Sequence, residues 1–284
     1  MSDLIREVFQ RVRPEEIAPV VGDGNTPAPQ MGFFTDTTLC IGCKACEVAC
    51  KQWNQLPSDG FSFSGNSYDN TGHLSETTWR HVAFVEQMDG DRTRETSRWL
   101  MMSDVCKHCE EAPCQEACPT GSIIYNEFGN VYVQPDICNG CGYCVVACPF
   151  GVLGRSDEDG HVHKCTLCYD RQKGDMTPAC AKACPTDSIQ FGPIEELREK
   201  AKKRLEDLRS RGESAAYLYG DQPTREYSSL NAFFLLTDHP GVYNLPEAPK
   251  KPTTGMKGRY LFSLAAGVAL TALAALFFGQ EAGA

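Results

Sequence analysis

The spacing of hydrophobic and polar positions changes several times along the chain, and the longest apolar stretch comes near its end. Residues 261–278 form an eighteen-residue run without a charge, and Tyr260 and Gly279 extend it to twenty. At 1.5 Å per residue, a helix of that length covers about 30 Å, the hydrocarbon thickness of a bilayer. A single transmembrane helix is therefore predicted over 260–279, with 280–284 as a tail. Ser263, Gly267, Thr271 and Ala275 recur at every fourth position, a stripe of small residues on which membrane helices pack closely. Upstream, Ile194, Leu197, Ala201, Leu205 and Leu208 line one side of a helix opened by Pro193, Glu195 and Glu196 and closed by Gly212. Pro223, Pro240, Pro246, Pro249 and Pro252 then predict chain running over the surface, so 193–259 reads as amphipathic helix plus surface linker.

Short alternating runs predict hairpins. Residues 122–125 and 130–133 flank Phe128-Gly129; residues 79–87 and 97–102 flank Met88-Asp89-Gly90-Asp91 inside 53–105, read as an insertion. Residues 1–32 read as an arm. Leu4, Ile5, Val8, Phe9 and Val12 repeat at helical spacing, and Pro14, Pro19, Pro27 and Pro29 with Gly22 and Gly24 make the rest extended. So little core of its own leaves two readings, a strap onto a partner subunit or a loosely ordered terminus. Neither an apolar signal core nor a twin arginine is read in residues 1–30.

All sixteen cysteines lie between the arm and the amphipathic helix, in four groups of four. They are Cys40, Cys43, Cys46 and Cys50; Cys106, Cys109, Cys114 and Cys118; Cys138, Cys141, Cys144 and Cys148; and Cys165, Cys168, Cys180 and Cys184. Each group ends in C-x3-C, and the first and third read C-x2-C-x2-C-x3-C, the pattern of bacterial two-cluster ferredoxins. Pro119, Pro149 and Pro185 follow three of the groups; Lys51 stands in that place in the first. Three thiolates within seven residues can each reach a different iron of one cubane, but the same chain cannot easily turn back to the fourth. In two-cluster ferredoxins the fourth cysteine therefore ligates the other cluster. Structural zinc uses two pairs separated by a longer loop, and three cysteines at C-x2-C-x2-C would crowd one tetrahedral ion. A chain this long needs no disulfide framework to stabilise its core. Four quartets imply four 4Fe–4S clusters, and four one-electron centres in a row are most simply a wire.

A net charge of −10 argues against a nucleic-acid partner. Lys44, Lys51, Lys107, Lys164 and Lys182 lie near the motifs. They read as ordinary surface lysines, with the alternative that they offset the negative clusters. The six histidines form no ligand group, and His108 reads as a surface or supporting residue beside a complete quartet. The sequence shows no nucleotide loop, nucleophile elbow or C-x-x-C-H haem motif, hence no substrate site.

Cys40-Ile41-Gly42-Cys43-Lys44-Ala45-Cys46, Gly140-Cys141-Gly142-Tyr143-Cys144, Cys148-Pro149-Phe150 and Lys164-Cys165-Thr166-Leu167-Cys168 resemble the iron–sulfur subunit of membrane-bound respiratory formate dehydrogenase. Tyr68-Asp69-Asn70, Leu208-Arg209-Ser210-Arg211-Gly212 and Tyr243-Asn244-Leu245-Pro246 carry the likeness beyond the cysteines, over about residues 33–280. The resemblance implies an α+β fold over 33–192 of two ferredoxin-like domains interleaved in sequence. The first and fourth motifs pair, as do the second and third. It implies cluster A on Cys40, Cys43, Cys46 and Cys184, and cluster B on Cys50, Cys165, Cys168 and Cys180. Cluster C falls on Cys106, Cys109, Cys114 and Cys148, and cluster D on Cys118, Cys138, Cys141 and Cys144. The implied function is electron transfer, without a catalytic site, from a molybdenum- or tungsten-pterin subunit to a membrane cytochrome b that reduces quinone. The first–fourth pair would face the catalytic subunit and the second–third pair the membrane subunit.

The alternatives are the same subunit in a nitrate, dimethyl sulfoxide or polysulfide reductase-like complex, or a stand-alone polyferredoxin. The membrane tail argues against both. Lys250, Lys251, Lys257 and Arg259 precede that helix and Glu281 follows it, which favours cluster domains in the cytoplasm. Respiratory members of the family place them outside, and the extracytoplasmic face is the expectation here.

Overall fold

The computed structural model describes residues 29–88, 97–224 and 227–278, apart from 62, 64 and 66. Most of the predicted arm, the turn Asp89-Gly90-Asp91 and the chain from Gly279 onward lie outside the described residues.

A mixed four-stranded sheet divides the apolar interior into two cores. β1 (Met31–Asp36) pairs in parallel with β10 (Ala232–Leu236) and antiparallel with β8 (Ile189–Pro193); β9 (Tyr217–Tyr219) lies antiparallel against β10. Successive strand residues point to opposite faces. Phe34, Phe233 and Leu235 therefore meet α6 (Ile194–Ser210) through Ile194, Leu197, Ala201 and Leu208, and Phe34 stacks on Phe233 at 5.3 Å. Phe33, Phe234 and Leu236 turn the other way, into the core that holds the cysteines. Gly32 allows the close approach of these strands: a Cβ there would stand 2.1 Å from the Asn231 carbonyl oxygen.

Two boundaries from the sequence need correction. Met31 and Gly32 belong to β1, so the arm ends before residue 32. The span 193–259 is not helix plus surface linker throughout, because β10 is wholly buried in the middle of the sheet. A strand covered on both faces reads as a continuous apolar run, which Ala232-Phe233-Phe234-Leu235-Leu236 is. The predicted helix α6 does form, with Leu205 partly buried on its apolar side. Gly212, at φ +100°, lies just beyond its end, where the Glu213 N–H bonds back to the Leu208 carbonyl.

The remaining strands are short pairs. β2 (Arg80–Gln87) lies antiparallel to β3 (Arg98–Val105), with Arg80 opposite Val105. β4 (Ile123–Tyr125) and β5 (Val131–Val133) form the hairpin expected around Phe128-Gly129. β6 (Gly154–Arg155) pairs with β7 (Val162–His163).

Short helices carry the cysteines. The C-x3-C ends of the groups fall on α1 (Ala45–Asn54), α2 (Pro113–Glu116), α3 (Tyr143–Ala147) and α5 (Ala179–Lys182), or just beyond their last turn. Helix α4 (Tyr169–Lys173) follows Cys168. α1 packs against α5, and α2 against α3. Residues four apart lie one turn apart on the same face, so each short helix presents two sulfurs. The last helix, α7 (Met256–Phe278), is long and apolar enough to cross a membrane; residues Gly258–Ala275 have a mean hydropathy of 1.4 and none of that window is buried.

Candidate cluster sites

The loops that open each cysteine group depend on left-handed backbone. Gly42 and Lys44 have φ of +66° and +58°, Gly140 and Gly142 +66° and +74°, His108 +42°, and Leu167 and Cys168 +55° and +49°. Such turns fold the chain back so that neighbouring sulfurs face one interior space. Only glycine suits position 140, where a Cβ would lie 1.9 Å from the Gly160 carbonyl oxygen.

Four gatherings of sulfur result. Cys40, Cys43, Cys46 and Cys184 line one cavity. Cys50, Cys165, Cys168 and Cys180 line another, with Arg80 in its wall. Cys106, Cys109 and Cys148 lie close enough to Cys114 to oppose its ionisation, and Cys118, Cys138 and Cys141 do the same to Cys144. All sixteen thiols are free, with Cys43 and Cys141 exposed. Among the described residues, no three His, Cys, Asp or Glu side chains form a site for a single metal ion.

Burial pushes the Cys46, Cys109 and Cys165 thiols up to about 12, and Cys168 and Cys144 up to about 11. Burial also opposes ionisation at Cys118, but Ser122, Thr120 and the Ile123 amide bring its thiol down to about 7. Metal coordination deprotonates a thiol outright, so these interior sulfurs suit a bound metal group better than free thiolates.

The polar surroundings fit the same group. The Tyr227 hydroxyl donates to Cys109 Sγ at 3.1 Å; Ser103 Oγ lies 3.3 Å from Cys46 Sγ, and Ser122 Oγ 3.2 Å from Cys118 Sγ. Asn54 Nδ2 donates to Cys50 Sγ at 3.6 Å. Hydrogen bonds to cluster sulfurs tune reduction potential. Arg80 is buried; its Nη2 donates to Cys180 Sγ at 3.1 Å, and its Nε has no partner among the described residues. An unpaired buried ion costs several kcal/mol. An anionic iron–sulfur group in the adjoining cavity would supply both counter-charge and acceptor.

Several of these residues were invisible or misread in the sequence. Arg80, Ser103 and Tyr227 carry no local signal, since only the tertiary fold brings them to Cys180, Cys46 and Cys109. Lys107 and Lys164 are buried, contrary to the surface reading. Lys107 is held by Asp104 and the Val105 carbonyl. His108 is also buried, and neither ring nitrogen has a partner among the described residues. Burial pushes its pKa well down, and Lys164 and Arg80 push it further.

Residues 39–122 and 97–194 each match a 4Fe-4S dicluster domain. The class is thus a protein of paired ferredoxin-like dicluster domains, and its cofactors are four 4Fe–4S clusters. The formate dehydrogenase iron–sulfur subunit of Haemophilus influenzae is 39% identical over 251 residues, 85% of this chain and 79% of the relative. The formate dehydrogenase-O iron–sulfur subunit of Escherichia coli is 38% identical over 268 residues, 90% of this chain and 87% of the relative. The chain belongs to the family of formate dehydrogenase iron–sulfur subunits. The B subunit of the anaerobic dimethyl sulfoxide reductase of Escherichia coli is also related, at 36% identity over 177 residues, 60% of this chain and 77% of that protein.

Proposed function

We propose that this chain is the electron-transfer subunit of a formate dehydrogenase complex, without a catalytic site of its own. The observation that carries the reading is the gathering of all sixteen cysteines into four groups inside one fold, each crossing between motifs. The shared cavities support cluster A on Cys40, Cys43, Cys46 and Cys184, and cluster B on Cys50, Cys165, Cys168 and Cys180. The influence of Cys106, Cys109 and Cys148 on Cys114 supports cluster C on these four, and that of Cys118, Cys138 and Cys141 on Cys144 supports cluster D. The packing of α1 on α5 and of α2 on α3 supports two domains interleaved in sequence, motif one with four and two with three. Each cluster, when bound, supplies one-electron chemistry.

The order A–B–C–D follows from neighbours. Cys46 and Cys50 share α1; Cys106 lies close enough to Cys165 to oppose its ionisation across the B–C gap; Cys114 lies on α2 and Cys118 just beyond it. Exposed Cys43 with Ile41 and Val48 marks one end, and exposed Cys141 with Ile137, Tyr143 and Val146 the other. Apolar fringes of this kind suit protein contact. Cluster A then faces a molybdenum- or tungsten-pterin catalytic subunit. Cluster D faces a membrane cytochrome b partner, because the chain entering α7 rests on the second motif: Thr253 Oγ1 donates to Glu116 Oε2 at 2.8 Å, and Lys251 pairs with Glu111.

The longer overlap with formate dehydrogenase subunits favours formate over dimethyl sulfoxide chemistry in the partner. We place the cluster domains on the extracytoplasmic face, following the respiratory likeness. Pairing of Lys251 with Glu111 removes one of the four cations that would hold them in the cytoplasm.

Copurification tests this reading. The expected outcome is a large pterin subunit retained with this chain and cluster reduction on adding formate. A complex in which formate leaves every cluster oxidised rejects it. Protease added to right-side-out vesicles should cut the cluster domains, and protection there would reverse the sidedness.

A further inference from the structure

We infer that Arg80 and Lys164, which have no carboxylate partner among the described residues, are cations built into the inner gaps of the electron path, Arg80 between clusters A and B and Lys164 between B and C, where they raise the potentials of the clusters they adjoin. The inference rests on the cluster assignment above and goes beyond it.

Both side chains are buried, at 1% and 2% exposure. Arg80 donates to Cys180 Sγ at 3.1 Å and to the Ser103 carbonyl at 3.3 Å, and its guanidinium lies 4.8 Å from the Phe33 ring centre. It also reaches Ser103 Oγ at 3.5 Å, the hydroxyl beside Cys46 Sγ, so it contacts a sulfur of B directly and approaches one of A through Ser103, and the charges of Cys180, Cys46 and Cys165 act on it. Lys164 Nζ donates to the Val131 carbonyl at 2.5 Å and the Cys165 carbonyl at 2.9 Å. Its charged neighbours are Cys106, Cys114 and Cys165, sulfurs of C and B. Both cations also disfavour protonation of the buried His108 ring.

Three of the other four lysines near the motifs have carboxylate partners. Lys44 has Glu47, Lys51 has Asp59 and Lys107 has Asp104. Their charge is cancelled locally, whereas that of Arg80 and Lys164 is directed at sulfur. At cluster D the groups that bond the Cys118 sulfur are the neutral hydroxyls of Ser122 and Thr120. Reduction adds one negative charge to a cluster, and a fixed cation in a low-dielectric interior stabilises the reduced form. Clusters A, B and C therefore gain from this pair, and B gains twice.

An EPR-monitored redox titration of the purified complex reads the effect, with signals assigned by cysteine exchange. Arg80→Gln is expected to lower the midpoints of A and B by about 59 mV or more, a tenfold change in a one-electron equilibrium. Those of C and D should stay in place. Lys164→Gln should lower B and C and spare A and D. Arg80→Lys and Lys164→Arg keep the charge and should keep most of each midpoint. Should Arg80→Gln lose a cluster, Arg80→Lys and the Lys164 pair carry the test. Unmoved midpoints with all four signals present would overturn the inference. So would charge-keeping variants that shift as far as the neutral ones. A Cys184 exchange that struck cluster B would instead overturn the assignment beneath it.

Discussion

In a Cys184→Ser variant, the cluster held by Cys40, Cys43 and Cys46 is expected to disappear or change its EPR signal, while the one held by Cys165, Cys168 and Cys180 persists. Chain proximity argues the opposite, since Cys184 lies one helical turn beyond Cys180. The fold reverses that preference. Cys184 shares its cavity with Cys40, Cys43 and Cys46, and it opposes ionisation of Cys40. Cys50, from the first motif, takes the place beside Cys165, Cys168 and Cys180. Serine offers iron a harder and weaker ligand than thiolate. Complete loss of one cubane would lower the iron content from about sixteen atoms to about twelve. Cys50→Ser is the reciprocal control and should strike the other cluster. Damage to the Cys165 cluster by the Cys184 exchange, with the Cys40 cluster intact, would refute the crossed ligand sets.

The cysteine register was legible because ligand spacing is local. Three sulfurs within seven residues constrain their own loop whatever the rest of the chain does. The same holds for α6, where Ile194, Leu197, Ala201 and Leu208 recur at helical spacing, and for the β4–β5 hairpin around Phe128-Gly129. The central strand was not legible. β10 joins β1 in parallel from two hundred residues away, and the prolines around it suggested surface chain. Its five consecutive apolar residues were the signal, but a run that short does not name its partner strand.

Buried cations failed for a different reason. Lysine and arginine are almost never fully buried unless paired, so the surface reading of Lys107 and Lys164 followed the general rule. Asp104 supplies the pair for Lys107, three residues away. For Lys164 and Arg80 the compensating atoms are sulfurs, and for Arg80 the hydrogen-bonded sulfur is one hundred positions distant. Sequence spacing shows where a cluster is ligated. It does not show which charges the fold brings to it, and those charges bear on how readily each cluster accepts an electron.

Removing residues 260–284 is expected to separate cluster integrity from membrane delivery. No cysteine lies in that stretch, and none of the Gly258–Ala275 window is buried among the described residues. The truncated subunit should keep four cluster signals, leave the membrane, and still pass electrons from formate to a soluble dye through the catalytic subunit. Reduction of quinone should fall by tenfold or more, about the effect of losing 1.4 kcal/mol of docking energy. A point substitution separates docking from anchoring. A Cβ at position 267 would meet no atom of the described residues within 4 Å beyond its own helix turn, so Gly267→Leu points into open space among them. Gly267 lies on the stripe with Ser263, Thr271 and Ala275, where small residues let another helix approach. Gly267→Leu should therefore leave the protein in the membrane but weaken quinone reduction, whereas replacing exposed Leu273 by alanine should matter less. Loss of clusters on truncation would make α7 part of the folded core. Full quinone reduction by both the truncated chain and Gly267→Leu would leave the helix no part in coupling to the membrane partner.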